Sequence, residues 1–159
     1  MTVDEELAYL AGIIDGEGCV SIAKNTRRGR NYYSLRINVS NNSIDLMQWL
    51  EDTFGDVVRT SYHRWYDRRD LYDWTASGNQ AQVLLELVLP FLIIKKDQAK
   101  LALTLTIAPY GGSSRWSYTA EEEHYRGIAY ELMKSLNGRL GNKGRYPREE
   151  SKALKGGDA

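Results

Sequence analysis

The sequence predicts an α+β fold in which a four-stranded antiparallel sheet carries helices on one face and leaves its other face open. Three observations support this prediction. Helix start signals or apolar residues at helical spacing mark five segments, two pairs of shorter segments have strand patterns, and Gly or Pro stands at several boundaries. The predicted order is α-ββ-α-ββ-α-α-α, an αββαββα core followed by extra C-terminal helices.

The first part of the chain predicts a helix and then a hairpin. Residues 2–5, Thr-Val-Asp-Glu, form a capping box for a helix that we expect to run to about Asp15. From Glu17 onward the period changes to two, which predicts a strand, and the polar stretch 25–31 predicts the hairpin tip. Residues 32–39 alternate between apolar residues and Tyr, Ser, Arg or Asn, which predicts a second strand with one apolar face.

The remaining elements follow from similar signals. Ser43 caps a second helix, which Gly55 ends. Strands are predicted at 57–65 and 71–76, helices at 79–89 and 97–108, and a last helix from a capping box at 119–122 to about Asn137. We expect a single domain over residues 1–138 and a basic, mobile tail over residues 139–159.

The composition excludes several classes of protein. The single cysteine, Cys19, rules out an internal disulfide and a cysteine-based zinc site, and it suits a reducing compartment. No apolar run approaches the roughly 18 residues of a membrane span. The acidic N-terminal residues 4–6 do not fit a signal or transit peptide. We therefore expect an intracellular protein without a membrane partner, in a prokaryotic cytoplasm or an organelle matrix.

Charge is segregated along a chain whose formal net charge is zero. Residues 1–17 hold five acids and no base, whereas residues 19–36 hold five bases and no acid. Further bases cluster at 59–69 and in the tail. Such segregation can give a neutral protein one basic face, and a basic sheet face can follow a nucleic-acid groove. The alternative is an ordinary solvated sheet face with basic hairpin tips.

The segment LAGIIDGEG, residues 10–18, combines glycines and acids at the end of the first helix. Ala8, Gly12 and Gly16 lie on one helical face, where small residues let two helices approach closely. A dimer through this face would bring two copies of Glu17 together, an arrangement that a divalent cation would stabilise. The alternatives are crowding within one chain at Gly12 and Gly16, and a helix C-cap at Gly18.

This segment resembles the signature of the LAGLIDADG homing endonucleases over nine consecutive positions. The resemblance extends through the αββαββα order to about Ala108, and residues 90–99 resemble the family's segment after the fourth strand. A single copy of the motif implies a homodimer in which two motif helices pack at the two-fold axis. It also implies that the sheets are saddle-shaped and sit in the major groove of double-stranded DNA.

The resemblance also implies roles for individual residues. Glu17 matches the acid that binds the catalytic metal, and the carbonyl of Gly16 matches a second metal ligand. Lys95 matches a basic residue near the scissile phosphate, Asn41 matches a polar residue that positions water, and Asp15 is assigned to structure. The implied cofactor is Mg²⁺, with Mn²⁺ tolerated in its place, and no organic cofactor is expected. A second basic residue that family members often carry early in the next helix is missing from residues 42–45.

The function implied is that of a site-specific DNA endonuclease. It would make metal-dependent double-strand breaks with short 3′ overhangs in a long, pseudo-palindromic target. Two alternatives remain open: an RNA maturase that assists intron splicing, and a catalytically inactive DNA-binding regulator.

The predicted DNA contacts divide into the open sheet face and the hairpin tips. Strand alternation places the first group on one face: Cys19, Ser21, Tyr32, Ser34, Arg36, Asn38, Arg59, Ser61, His63, Asp73 and Thr75. The second group consists of the tip residues expected to touch phosphates, Arg27, Arg28, Arg30 and Arg68. The other basic residues expected to contact DNA are Lys24, Arg64 and Arg69. Within the face, Arg36 and Arg59 have the fork geometry that fits guanine.

Overall fold

The protein is described from a computed structural model, which describes residues 1–55, 58–61, 71–105 and 119–141, with the backbone alone for 58–61 and 139–141. Its elements, in chain order, are α1 (Val3–Gly16), β1 (Gly18–Arg27), β2 (Arg30–Asn41), α2 (Ile44–Phe54), β3 (Val58–Ser61), β4 (Leu71–Ser77), α3 (Gly78–Val88), α4 (Lys96–Leu103) and α5 (Ala120–Gly141). This order confirms the predicted α+β class and the αββαββα core followed by two further helices.

The sheet is antiparallel, with the strand order β1-β2-β4-β3. β2 lies in the interior, where it pairs with β1 over residues 30–39 and with β4 over residues 36–41. The register sets Val20 opposite Ile37 and Val39 opposite Trp74, so apolar residues of neighbouring strands share one face. Cross-strand partners of this kind are the unit of sheet stabilisation.

The β1–β2 hairpin is longer than its sequence predicts. The polar character of residues 25–27 predicts that they belong to the tip, but they pair with residues 30–32. The turn itself consists of Arg28 and Gly29, whose φ angles of 50° and 76° are both positive. Two-residue hairpin turns favour positive φ because their twist then matches that of the strands. Main-chain pairing therefore continues the strands beyond the last buried side chain.

The hydrophobic core lies between the sheet and the helices. In β1, β2 and β4 the buried side chains alternate with side chains that are not buried. These buried side chains are Val20, Ile22, Tyr33, Leu35, Ile37, Val39, Trp74 and Ala76. They pack against residues of all five helices in one cluster. The Trp74 indole donates a 2.7 Å hydrogen bond to the Gly55 carbonyl, so its polar atom is satisfied within this core.

Most helix ends agree with the sequence. The capping boxes at Thr2–Glu5 and Thr119–Glu122 both form, and Ser43 caps α2. α4 ends at Leu103, earlier than expected, where the Thr104 hydroxyl and amide both donate to the Leu101 carbonyl. α5 extends to Gly141, past the expected end at Asn137. In the part of the chain that the structure describes, no helix has the length and hydrophobicity needed to span a membrane.

Candidate active site and DNA-contact face

The glycines of α1 face open space. Ala8, Gly12 and Gly16 are exposed, while Leu10 and Ile14 on the opposite side are fully buried. A Cβ atom added at Gly12 or Gly16 would meet no atom of the described residues within 4 Å. Crowding within the described part of the chain therefore does not explain these two glycines, and the small-residue face of α1 is open to another surface.

Gly18 has a different reason to be glycine. A Cβ atom at this position would lie 2.7 Å from the Ile14 Cα and 3.0 Å from its carbonyl oxygen. The chain leaves the helix with Glu17 as the C-cap, whose amide donates to the Ile13 carbonyl at 2.8 Å, and enters β1 at once. The tight exit from helix to strand thus requires Gly18 and fixes Glu17 at the end of α1.

Glu17 is exposed, and Asn41 orients its carboxylate. The Asn41 Nδ2 donates a hydrogen bond to the Glu17 Oε2. The Asn41 Oδ1 accepts from the Ser43 amide at 2.8 Å, and Ser43 is the N-cap of α2. The structure therefore brings the predicted residues Glu17 and Asn41 together, with both ends of the Asn41 amide engaged.

Lys95 lies directly before α4 and reaches the C-terminal end of α1. Its Nζ donates to the Ile14 carbonyl at 2.6 Å and to the Asp15 carbonyl at 2.9 Å. The last carbonyls of a helix lack intrahelical partners and carry partial negative charge, so an ammonium group is favourable there. Burial lowers the pKa of Lys95 from its ordinary value, and the charges of Asp15 and Cys19 partly oppose this effect.

Asp15 binds the backbone of the same segment. Its carboxylate accepts from the Ile93 amide at 2.7 Å and from the Lys95 amide at 2.9 Å. The resemblance assigns Asp15 to structure without indicating a partner. The sequence signal for such a partner is the position of Asp15 itself. An acid near the negative end of a helix is unfavourable unless hydrogen-bond donors from another part of the chain bind its carboxylate.

The end of α1 offers oxygen ligands that suit a hard divalent cation. Gly16 is the last residue of the helix, so its carbonyl is one of those without an intrahelical partner, and the exposed Glu17 carboxylate follows it. Mg²⁺ is typically held by one or two carboxylates together with substrate phosphates and water. Among the described residues no group of three or more His, Cys, Asp or Glu side chains could hold a metal ion, so one chain supplies only part of a coordination shell.

The open face of the sheet carries most of the predicted contact residues whose side chains are described. Cross-strand pairing sets Cys19 opposite Asn38, Ser21 opposite Arg36, and Asn38 opposite Thr75. The Asn38 Nδ2 donates to the Thr75 Oγ1 at 2.9 Å. Further along, the Ser40 hydroxyl donates to the Asp73 Oδ1, and its oxygen lies 3.3 Å from the Asn38 Oδ1. These bonds hold the polar side chains of β2 and β4 in a fixed arrangement.

Two predicted contact residues lie close to side chains of α5. Lys24 pairs with the buried Tyr33, and its Nζ lies 5.9 Å from the centroid of the Tyr130 ring. The Arg30 Nε lies 4.0 Å from the Glu123 Oε2. Strand alternation gives Lys24 the parity of Val20 and Ile22, so its side chain leaves the sheet on the helix side.

The second predicted cluster is described only in part. Arg59 pairs with Asp73 in the backbone register, and Ser61 pairs with Leu71. His63, Arg64, Arg68 and Arg69 lie outside the described residues.

Cys19 lies between the end of α1, which carries Glu17, and the open face of the sheet, of which it is the first residue on β1. Burial raises the pKa of the Cys19 thiol above its ordinary value, and the neighbouring charge of Lys95 opposes this change. Cys19 as a whole residue is exposed, but its thiol group is partly buried, and this partial burial is the cause of the shift.

The proteins that match this chain are found among solved structures. No family model and no curated protein matches the chain. The crystal structure of the homing endonuclease I-CvuI in complex with its target superposes with a TM-score of 0.66 at 20% identity, covering 84% of this chain and 82% of that one. The homing endonuclease I-TnaI gives 0.52 at 16% identity, covering 84% and 97%. The archaeal intron-encoded homing endonuclease I-Vdi141I, complexed with DNA, gives 0.51 at 12% identity, covering 86% and 99%. The chain therefore has the fold of the homing endonucleases.

Proposed function

We propose that this protein is a LAGLIDADG homing endonuclease that binds double-stranded DNA as a homodimer and cuts both strands in a metal-dependent reaction. One observation carries the proposal. Glu17, Asn41 and Lys95 come from three separate parts of the chain, and they converge on the exposed end of α1, beside the open face of the sheet. Structures of I-CvuI and I-Vdi141I contain DNA, which supports the same function for the shared fold.

The exposed face of α1 supports a homodimer. Gly12 and Gly16 leave room for a second backbone, and Tyr9, three residues before Gly12 on α1, is also exposed. Two α1 helices packed through these glycines would carry their Glu17 carboxylates towards the same axis. Because like charges repel, that arrangement favours bound cations over an empty site.

The residues at the end of α1 suit hydrolysis of a phosphodiester. Glu17 and the Gly16 carbonyl would hold the divalent cation, which when bound supplies Lewis-acid polarisation of the phosphate and a more acidic water. Asn41 holds the Glu17 carboxylate in one orientation. Lys95 supplies a positive charge at the same helix end, where it would stabilise negative charge that develops on the phosphate.

The same arrangement supports the form of the cut and of the target. Two sites near one two-fold axis would act on phosphates that face each other across the minor groove, and such phosphates are offset in the 3′ direction. Breaks with short 3′ overhangs are therefore expected. A symmetric dimer reads two half-sites, so the target should be pseudo-palindromic.

The experiment is cleavage of a randomised plasmid library in Mg²⁺, with sequencing of the ends produced. Glu17→Gln keeps the size of the side chain and removes its charge, so it should abolish cleavage and leave DNA binding intact. Glu131→Gln, an exposed glutamate on α5, is the matched control and should cut normally. Cleavage by the Glu17→Gln protein would contradict the metal assignment. DNA binding by the parent without cleavage would favour a regulator, and promotion of intron splicing without cleavage would favour a maturase.

A further inference from the structure

Four hydrogen bonds join the end of α1 to the segment before α4. The Asp15 carboxylate accepts from the amides of Ile93 and Lys95, and the Lys95 ammonium donates to the carbonyls of Ile14 and Asp15. The bonds are reciprocal, since each segment supplies both a side chain and main-chain groups. We call this set the Asp15–Lys95 clamp.

Little else in residues 93–95 anchors that segment through its side chains. Ile93 is 85% exposed and Ile94 is 55% exposed, whereas Leu92 just before them is buried. Lys95 has a backbone conformation of φ −101° and ψ 19°, outside the helix that follows, and its side chain makes no cap bond with α4. The Asp15 carboxylate therefore supplies the bonds that tie the main chain of Ile93 and Lys95 to α1.

The position of the ammonium matters for the site. The ammonium binds the carbonyl of Asp15, and Asp15 directly precedes Gly16. The proposed metal ligands are the Gly16 carbonyl and the carboxylate of the next residue, Glu17. A shift of the 93–95 segment would move this charge away from the reacting phosphate, and displacement by about 1 Å can cost about 100-fold in rate.

We infer that Asp15 is a positioning residue that acts through Lys95: it holds the lysine beside Glu17 without itself touching metal or DNA. This inference rests on the proposed function and adds a role for the first acid of the motif. A residue that acts only through another has no effect once that other residue is removed, so a change at Asp15 should not alter the cleavage rate of a protein that lacks Lys95.

The first test is Asp15→Asn, which keeps the size of the side chain and replaces one acceptor oxygen by a donor that faces a backbone amide. The maximal single-turnover cleavage rate should fall about 10- to 100-fold, the usual range for residues that orient catalytic groups. The protein concentration that half-saturates the DNA should not change. Asp97→Asn, an exposed aspartate in the first turn of α4, is the matched control and should cut at the parent rate.

The decisive test adds Lys95→Met. If Asp15 acts through Lys95, the double variant should cut at the rate of Lys95→Met alone. Rate losses that multiply in the double variant would overturn the inference, because they would mean that Asp15 contributes independently, for example as a metal ligand.

Hydrogen exchange tests the clamp without any cleavage. In the Asp15→Asn protein at least one of the amides of Ile93 and Lys95 should exchange about tenfold faster, since asparagine keeps one acceptor oxygen and turns its NH2 group towards the other amide. Exchange of both amides at the parent rate would overturn the inference even for a protein that does not cut. A parent protein that fails to cut would instead contradict the proposed function, so the two failures are distinguishable.

Discussion

Asn41 links the N-terminus of α2 to the carboxylate at the end of α1. Its Oδ1 accepts from the Ser43 amide, and its Nδ2 donates to Glu17. One short side chain thus ties the proposed metal-binding acid to the cap of a different helix. Such a tie restricts the Glu17 carboxylate to one orientation, which lowers the entropy lost when a cation binds.

Removal of this tie should slow cleavage and leave DNA affinity unchanged. We expect Asn41→Ala to lower the maximal cleavage rate about 10- to 100-fold, as loss of an orienting partner of a metal ligand commonly does. The Mg²⁺ concentration needed for half-maximal rate should rise at the same time. Asn42→Ala, an exposed neighbour, is the control. If Asn41→Ala changed only DNA affinity, the residue would contact DNA rather than orient Glu17.

Gly12 provides the test of assembly. Its surroundings are open, so Gly12→Leu should not strain the folded chain and should favour the helix by roughly 1 kcal/mol. The same leucine would separate two helices packed through this face, so the variant should be a monomer of 18.1 kDa. Light scattering gives the mass directly.

The control for that experiment is Gly138→Leu. Gly138 also lies in a helix, and an added Cβ there would meet no atom of the described residues within 4 Å, so the helix gains the same propensity on a different surface. This variant should remain a dimer. A parent protein that is monomeric at micromolar concentration would contradict the proposed interface.

The sequence predicts the parts of this fold that depend on local pattern. Alternation over residues 32–39 specifies which side chains are buried, because a strand has a strict period of two and a slip by one residue would expose every apolar side chain. The caps at Thr2, Ser43 and Thr119 are likewise local, since each bonds an amide three residues later. Element order and the fold class follow from these signals.

The parts that the sequence does not predict depend on long-range placement. The Asp15–Lys95 clamp joins positions 80 residues apart, and no periodicity records which backbone amides a carboxylate will meet. The sheet order, in which β4 separates β2 from β3, also depends on how the helices cover the sheet. For Lys24 the positive charge suggests a DNA contact, but strand parity decides its direction, and its side chain lies near the Tyr130 ring.

The Cys19 thiol should titrate at a higher pH than the thiol of an ordinary cysteine. Burial raises its pKa, so the thiolate, which is the form that reacts with iodoacetamide, appears at higher pH. The midpoint of the alkylation rate against pH should exceed that of a control thiol, Ser135→Cys in a Cys19→Ser background, which is exposed on α5. Lys95→Met removes the charge that opposes the shift, so it should raise the Cys19 midpoint further. A midpoint at or below that of the control would contradict this environment.

Arg36 and Arg28 should affect DNA recognition in different ways. Arg36 is exposed on the open face, opposite Ser21 and Ser77, where a guanidinium can reach base edges. We expect Arg36→Ala to relax preference at one base pair in each half-site, with a loss of discrimination of about 1–3 kcal/mol.

Arg28 lies in the hairpin turn with a φ of 50°, a conformation that asparagine tolerates, so Arg28→Asn removes the charge without forcing the backbone. If Arg28 binds a phosphate, the variant should bind all sequences more weakly and to the same extent. The slope of log affinity against log salt should also become smaller by about 1 for each phosphate that Arg28 neutralises in the parent complex. Selection from a randomised site, repeated for both variants at two salt concentrations, measures both effects. If Arg36→Ala kept the parent's preferences and reduced affinity only, the open face would contact the DNA backbone, and the proposed recognition register would be wrong.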